Sequence, residues 1–347
     1  MVEYDSHGLS NICLLPEIGG VGGPASFQLK FKAALAERGV HAHHDPQDPQ
    51  AQALLVIAGT RRLGHLWRVK RRGIRVVQRL DGMNWIHRRR RTGMRHFIRS
   101  EYGNLLLAYI RRFVAEHIVY QSEFTRGWWQ RIYGGTPGTD EVILNGVDLQ
   151  AYSPEGAHQR PQDHIRVQVV EGHLKDGNDL ALEFAALFAG ALQNEIKQRV
   201  ELCIAGEVPV SVQAQASRAH PELWLTFQGV VSRDHIPELD RSAHLLYSAE
   251  INAPCPNAVI EALACGLPVA AFETGSLPEL VQGNAGKLVP YGGNPWKLDR
   301  PDIRSLAVAT GEIVRQQEQH RRAAREWAEQ AFDLRIMADR YLRALAG

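Results

Sequence analysis

Short runs of apolar, often β-branched residues alternate along this chain with longer stretches in which apolar positions recur every three to four residues. A short apolar run bounded by polar turns is the pattern of a strand buried on both faces. The longer period is that of a helix laying one face on a sheet. In the first half, strands are predicted at 12–15, 53–58, 74–80, 117–121 and 141–144, with helices at 27–38 and 62–72, through an arginine-rich stretch, and after Ser122. In the second half the strands fall at 165–170, 200–205, 224–227, 244–247, 268–272 and 287–289, again with helices between them. Such alternation builds βαβ units on a parallel sheet, and it occurs twice. The polar, turn-rich stretch 145–160 between the two sets marks a domain boundary, and the tail from Asp302 reads as two helices, the last at about 319–346.

Composition adds exclusions. A chain of 347 residues is longer than one hydrophobic core usually organises. With 44% hydrophobic and 22% charged residues it is neither disordered, collagenous nor coiled-coil. Cys13, Cys203, Cys255 and Cys265 form no CxxC pair, so no disulfide framework or structural zinc is indicated and a cytoplasmic setting is expected. The first residues show no secretory pattern, and the longest clean apolar run, 53–58, is far below a membrane span, so the expectation is a soluble or peripheral protein.

Charge changes the picture more. Between Arg61 and Arg131 stand 18 Lys and Arg against Asp81, Glu101, Glu116 and Glu123, an excess of +14, so the rest of the chain carries −12. The basic region includes Arg61-Arg62, Lys70-Arg71-Arg72 and the run Arg88, Arg89, Arg90, Arg91, with Trp67, Trp85, Trp128 and Trp129 interleaved. An anionic membrane, a phosphate-bearing substrate and nucleic acid all fit such a region, as do plain solvated helix faces. No nucleic-acid-binding motif is present, and the membrane or a lipid-phosphate acceptor is the preferred partner.

Two stretches carry candidate chemistry. Gly19-Gly20-Val21-Gly22-Gly23-Pro24-Ala25-Ser26 lies between the first strand and first helix, where glycines admit a ligand close to backbone amides at a helix start. Ala25 makes it GxGxxA, so dinucleotide binding stays open, with Asp45 an imperfect ribose ligand; a bare turn is the simpler alternative. The second stretch runs from Ser248 to Pro268. Pro256 and Asn257 suit a helix start, the helix runs to Gly266, and Pro268 opens the next strand. The amides of Asn257, Ala258 and Val259 then point out of the helix end toward a diphosphate, and Glu261, one turn in, reaches a ribose diol. A cluster of His41, His43, His44 and Asp45 suggests surface residues before it suggests a metal, and no Asp-x-Asp occurs.

The second stretch resembles the donor-binding signature of the retaining glycosyltransferase family 4, "EGFPNVLLEAMACGLPVVA", and the following Thr274-Gly275-Ser276-Leu277-Pro278-Glu279-Leu280-Val281 resembles its "GGLPELV". Val142 to Asp148 is similar to its "VIxNGVD", Thr226 to Val231 to its "xFxGxV", and Val119 to Phe124 to its "VxxQSEF". These matches cover both halves in order. The resemblance implies the α/β GT-B fold, two Rossmann-like parallel-sheet domains facing a cleft. It implies an acceptor-side domain at 1–150, a nucleotide-sugar domain at 151–330, and a C-terminal helix at 331–347 returning to the first domain.

By the same resemblance, the reaction is metal-independent, retaining transfer of a sugar from a nucleotide diphosphate sugar to a hydroxyl acceptor, in surface polysaccharide or glycolipid assembly, with no cofactor. Donor binding is carried over to Gly22, Gly23, Gly172, His173, Lys175, Asn257, Ala258, Val259 and Glu261. Asp81 is to organise the acceptor hydroxyl, with His87 as second choice, and Lys175 and Glu261 complete the catalytic set. Arg88 to Arg91 would face the acceptor or membrane. There are two departures. Ala253 replaces the first glutamate of the signature, with Glu250 the nearest substitute, and His173 replaces the arginine of the "GR…K" pair. A nucleotide-sugar epimerase, a nicotinamide-dependent dehydrogenase and a catalytically silent nucleotide-sugar binder therefore remain as alternatives.

Overall fold

The computed structural model describes residues 6–20, 22–174 and 179–347, the side chains of His173 and Asp179 excepted. The chain divides into two units. The first holds the residues up to Arg88, Thr92–Asp148 and Phe332–Gly347; the second holds Arg89–Arg91 and Leu149–Ala331.

The first unit contains β1 (Asn11–Leu15), α1 (Gly23–Ala36), β2 (His41–His43), β3 (Ala53–Ile57), α2 (Leu63–Arg71), β4 (Arg75–Leu80), α3 (Met94–Tyr109), β5 (His117–Tyr120), α4 (Glu123–Tyr133) and β6 (Thr139–Val142). Its sheet is parallel throughout, in the order β2-β1-β3-β4-β5-β6. Alternate residues feed two cores, as the strand period requires. Ile12, Leu14, Leu55, Ile57 and Val77 pack toward α1, while Cys13, Leu15, Leu54, Val56 and Val76 pack with Leu66 and Val69 of α2. β2 is a three-residue edge strand whose half-polar HAH sequence gives no apolar run to detect.

The second unit contains β7 (Ile165–His173), α5 (Asp179–Ile196), β8 (Val200–Glu207), α6 (Val210–Ala219), β9 (Trp224–Gly229), α7 (Ile236–Arg241), β10 (Leu245–Tyr247), α8 (Asn257–Ala264), β11 (Val269–Phe272), α9 (Leu277–Leu280), β12 (Gly286–Val289), α10 (Ile303–Arg315) and α11 (Gln317–Ala331). The parallel order β12-β11-β10-β7-β8-β9 is doubly wound and reverses direction between β7 and β10. Ligands of open α/β sheets bind beyond the carboxyl ends of the strands at such a reversal.

The tail departs from the expected pair of helices: α10 and α11 are followed by a separate α12 (Leu334–Ala346). Phe332 and Asp333 leave the helical path to pair with Val147, whose N–H donates to the Phe332 carbonyl at 2.8 Å and whose carbonyl accepts from Leu334 N at 3.1 Å. Asp333 then caps α12 by accepting from Arg335 N, which fixes a new helix start where periodicity alone shows one long helix. Met337, Tyr341, Leu342 and Leu345 of α12 join the first unit's core, with the Tyr341 ring 5.1 Å from Phe27.

Candidate functional site

In the second unit, chemistry collects at the carboxyl ends of β7, β10 and β11. The eight-residue α8 starts after Pro256, which has extended backbone and offers no side-chain cap, so Asn257, Ala258 and Val259 form its first turn, where backbone amides point out of the helix end. Glu261 is 8% exposed. Its charge, after burial itself, holds the neighbouring Asp240 carboxyl well above the ordinary aspartate range. Both Asp240 oxygens lack a hydrogen-bond partner among the described residues. Nothing in the sequence pattern marked Asp240, which enters only because α7 packs on α8.

The loop after β10 explains how the chain carries Ala253. Ala253 is fully buried, and Ser276 N donates to its carbonyl at 2.9 Å. Gly275, at φ +61°, lies so close that an added Cβ would meet Ala253 N and O at 2.5 Å each. The two loops are thus pressed backbone to backbone. Three residues earlier, Glu250 is solvent-accessible. The register pairing Leu246 with Gln168 sets Glu250 beside Glu171 at the end of β7, on the two strands where the sheet order reverses. Desolvation at the half-buried Glu171, and then the Glu250 charge, raise the Glu171 carboxyl above the usual range. Nearby, Asn252 Nδ2 and Ser276 Oγ are buried without a hydrogen-bond partner among the described residues. Gly172 and His173 end β7, and Lys175 lies outside the described residues.

In the first unit, Asp81 follows β4 and anchors a polar ring. Its Oδ1 accepts from Arg79 NH1 at 2.5 Å and from Gln121 Nε2, while Oδ2 takes part in neither bond. Arg79 NH2 donates to Asn145 Oδ1 at 2.9 Å, and Asn145 Nδ2 donates to Gln121 Oε1 at 3.3 Å, closing the ring. The guanidinium stacks on Phe27, 4.0 Å from the ring centre, and Trp129 Nε1 donates to the Asp81 carbonyl at 2.8 Å. Burial raises the Asp81 carboxyl, outweighing Arg79 and Gln121. Arg79 is 1% exposed, and its setting within the apolar VVQRL strand is the signal that could have marked it.

His87 is buried and bonds Glu101 Oε1 at 2.7 Å, with its ring edge-on to Phe97 at 5.1 Å. Arg88 clasps the same carboxylate through Nε at 2.6 Å and NH2 at 2.7 Å. Arg88 and then His87 draw Glu101 down to about 2. Gly22 caps α1, whose first residue is Gly23, and Gly19, Gly20 and Gly22 face open space where a Cβ would stand. The histidine cluster disperses: His43 faces Asp48 at 3.4 Å, and His44 Nδ1 lies 2.8 Å from the Leu14 carbonyl oxygen. Among the described residues, no group of three or more His, Cys, Asp or Glu is arranged for a metal, and no helix is long and apolar enough to cross a membrane.

Residues 176–313 match the model of the family described as Glycosyl transferases group 1. A curated relative, D-inositol 3-phosphate glycosyltransferase of Streptomyces bingchenggensis, is 26% identical over 218 residues, covering 58% of this chain and 47% of the relative. The chain thus spans about half of that relative's length. Sucrose-phosphate synthase from Thermosynechococcus elongatus superposes with a TM-score of 0.71 at 17% identity, over 96% of this chain and 97% of that one. Anabaena HepE in complex with UDP and glucose gives 0.70 at 16% identity, over 98% and 100%. The lipopolysaccharide-biosynthesis glycosyltransferase WaaG gives 0.65 at 14%, over 97% and 100%. The fold is that of the GT-B glycosyltransferases, as the sequence motifs led us to expect.

Proposed function

We propose, from the match of residues 176–313 to the group 1 glycosyl transferase model, that the chain is a retaining, metal-independent glycosyltransferase that moves a sugar from a nucleoside diphosphate sugar to a hydroxyl of a saccharide or lipid-linked acceptor. Its place is surface polysaccharide or glycolipid assembly, in the cytoplasm at an anionic membrane face. The α8 start with Glu261, at the carboxyl end of a doubly wound sheet, is the observation that carries this reading. The solved structures of HepE with UDP and with UDP-glucose support the donor class.

In this reading the amides of Asn257 to Val259 and Lys175 take the diphosphate, and Glu261 takes the ribose diol. Glu250, with Glu171 beside it, stands in for the carboxylate that Ala253 cannot supply and accepts bonds from donor-sugar hydroxyls. In the first unit, Asp81 Oδ2 receives the acceptor hydroxyl while the ring fixes Oδ1. The acceptor attacks the sugar on the face from which the phosphate departs, and that phosphate takes the acceptor proton. The helix end and Lys175 stabilise the charge of the leaving diphosphate, the electrostatic contribution that a metal supplies elsewhere. No further cofactor is required.

The test is turnover of UDP-glucose and a panel of other nucleotide sugars against saccharide and lipid-linked acceptors, with and without EDTA. Transfer with retention of the anomeric configuration that survives chelation is expected. Transfer abolished by EDTA and restored by a divalent ion overturns the metal-independent donor site. Ala253 gives a second reading some footing, a nucleotide-sugar binder without catalysis, which the same assay identifies by nucleotide binding without product.

A further inference from the structure

Along α3 and the turn that follows it, Met94 (74% exposed), Ile98 (60%), Tyr102 (48%), Leu105 (61%), Tyr109 (37%) and Phe113 (54%) face solvent. Their spacing of three or four residues places them in one stripe about 28 Å long at 1.5 Å per residue. The opposite face, with Ser100, Asn104, Leu107, Arg111 and Val114, is buried. The helix is therefore turned with its more polar side toward the protein and its apolar side outward. Scattered exposed apolar residues need no explanation, but a continuous stripe does.

The stripe is framed by positive charge. Arg95, Arg99 and Arg112 are exposed along the same segment, and Arg61, Arg62, Arg68 and Arg71 are exposed at and beside α2. The Arg61 guanidinium lies 5.7 Å from the Tyr102 ring centre and that of Arg112 5.8 Å from the Phe113 ring centre. Trp67 Nε1 donates to Tyr109 OH at 3.2 Å, tying α2 to the stripe. Glu101 is the sole acid between residues 82 and 115, and it is committed to Arg88 and His87.

We infer that α3 lies in the headgroup region of an anionic lipid bilayer, its apolar stripe among the acyl chains and the flanking arginines on lipid phosphates. This deepens the reading that the chain works at a membrane face, naming the element that docks there. The charge frame selects the occupant. A second copy docking on the stripe by a two-fold axis sets these arginines against their own images, a like-charge contact with no carboxylate left to relieve it. Nucleic acid satisfies the arginines but gives Met94, Ile98 and Leu105 nothing apolar to cover. A bilayer carrying negative headgroups satisfies both. Arg88, bonded to Glu101, is not part of this seat.

The test is flotation of the full chain with vesicles of phosphatidylcholine alone and of phosphatidylcholine with phosphatidylglycerol. One variant is Ile98→Ser/Leu105→Ser/Phe113→Ser and the other is Arg95→Gln/Arg99→Gln/Arg112→Gln, all at exposed positions. The wild type is expected on the anionic vesicles only. The arginine variant should lose about fivefold in partitioning per charge removed, and the apolar variant at least about tenfold. Indifference of the wild type to lipid charge overturns the membrane reading as a whole. Anionic binding undiminished in the apolar variant overturns the role of α3 alone. Self-association in sedimentation velocity that the apolar variant abolishes reassigns the stripe to a second copy, and duplex DNA binding lost equally in both variants reassigns it to nucleic acid. None of these readouts requires turnover, so they stand apart from the fate of the proposed reaction.

Discussion

At the scale of single residues, the carboxyls at the sheet ends differ in what holds them, hydrogen bonds in one case and mutual charge in another. Asp81 is bound on one oxygen by Arg79 and Gln121, so its orientation is fixed while Oδ2 stays outside the ring. Glu171 is a different case, a half-buried carboxyl raised by desolvation and then by the like charge of Glu250. A carboxyl with a raised native pKa holds a proton that the unfolded chain releases, so its contribution to stability is complete below the unfolded value, about 4.3 for glutamate, and is lost as pH rises through the raised native value. Glu171→Gln removes that loss. In urea titrations across this range, the variant should gain on the wild type as pH rises; a difference that does not change with pH contradicts a coupled pair. Only Glu250 of these two was visible in the sequence, as the nearest acid to Ala253. Glu171 required knowing that β7 and β10 are neighbours.

At the scale of elements, the buried strands were legible because both faces of a parallel sheet are covered, which turns each strand into a short apolar run. The α8 helix was legible because its start at Asn257 and the glycine that follows its end are adjacent in sequence. The polar ring was not, since Asp81, Gln121 and Asn145 come from three strand ends and meet only after β4, β5 and β6 pair. The outward stripe of α3 was equally hidden. The arginines announced a basic surface, but which side of the helix faces the protein depends on Ser100 and Asn104 being buried, against the usual rule. Two loops also matter as elements. Gly275→Ala places a methyl into the Ala253 backbone and forces a non-glycine residue to φ +61°, so a cost of about 2–3 kcal/mol is expected. Chemical denaturation measures it, and a loss below about 0.5 kcal/mol contradicts the tight packing of the two loops.

At the scale of the molecule, each sheet reverses its order beside its first strand, at β1 in the first unit and, in the second, between β7 and β10. The second reversal, the α8 start and Glu261 coincide in one unit, which is why the reading places the nucleotide there. The central claim is nucleoside diphosphate binding at this end of the second sheet. Calorimetric titration of UDP, GDP and ADP into the wild type and Glu261→Ala tests it most directly. Saturable binding of one of them is expected in the wild type. Removing a bond to a charged group should weaken it by about 1.5–3 kcal/mol, roughly ten- to more than a hundredfold in Kd. Absence of binding for all three, or equal affinity in Glu261→Ala, contradicts the account.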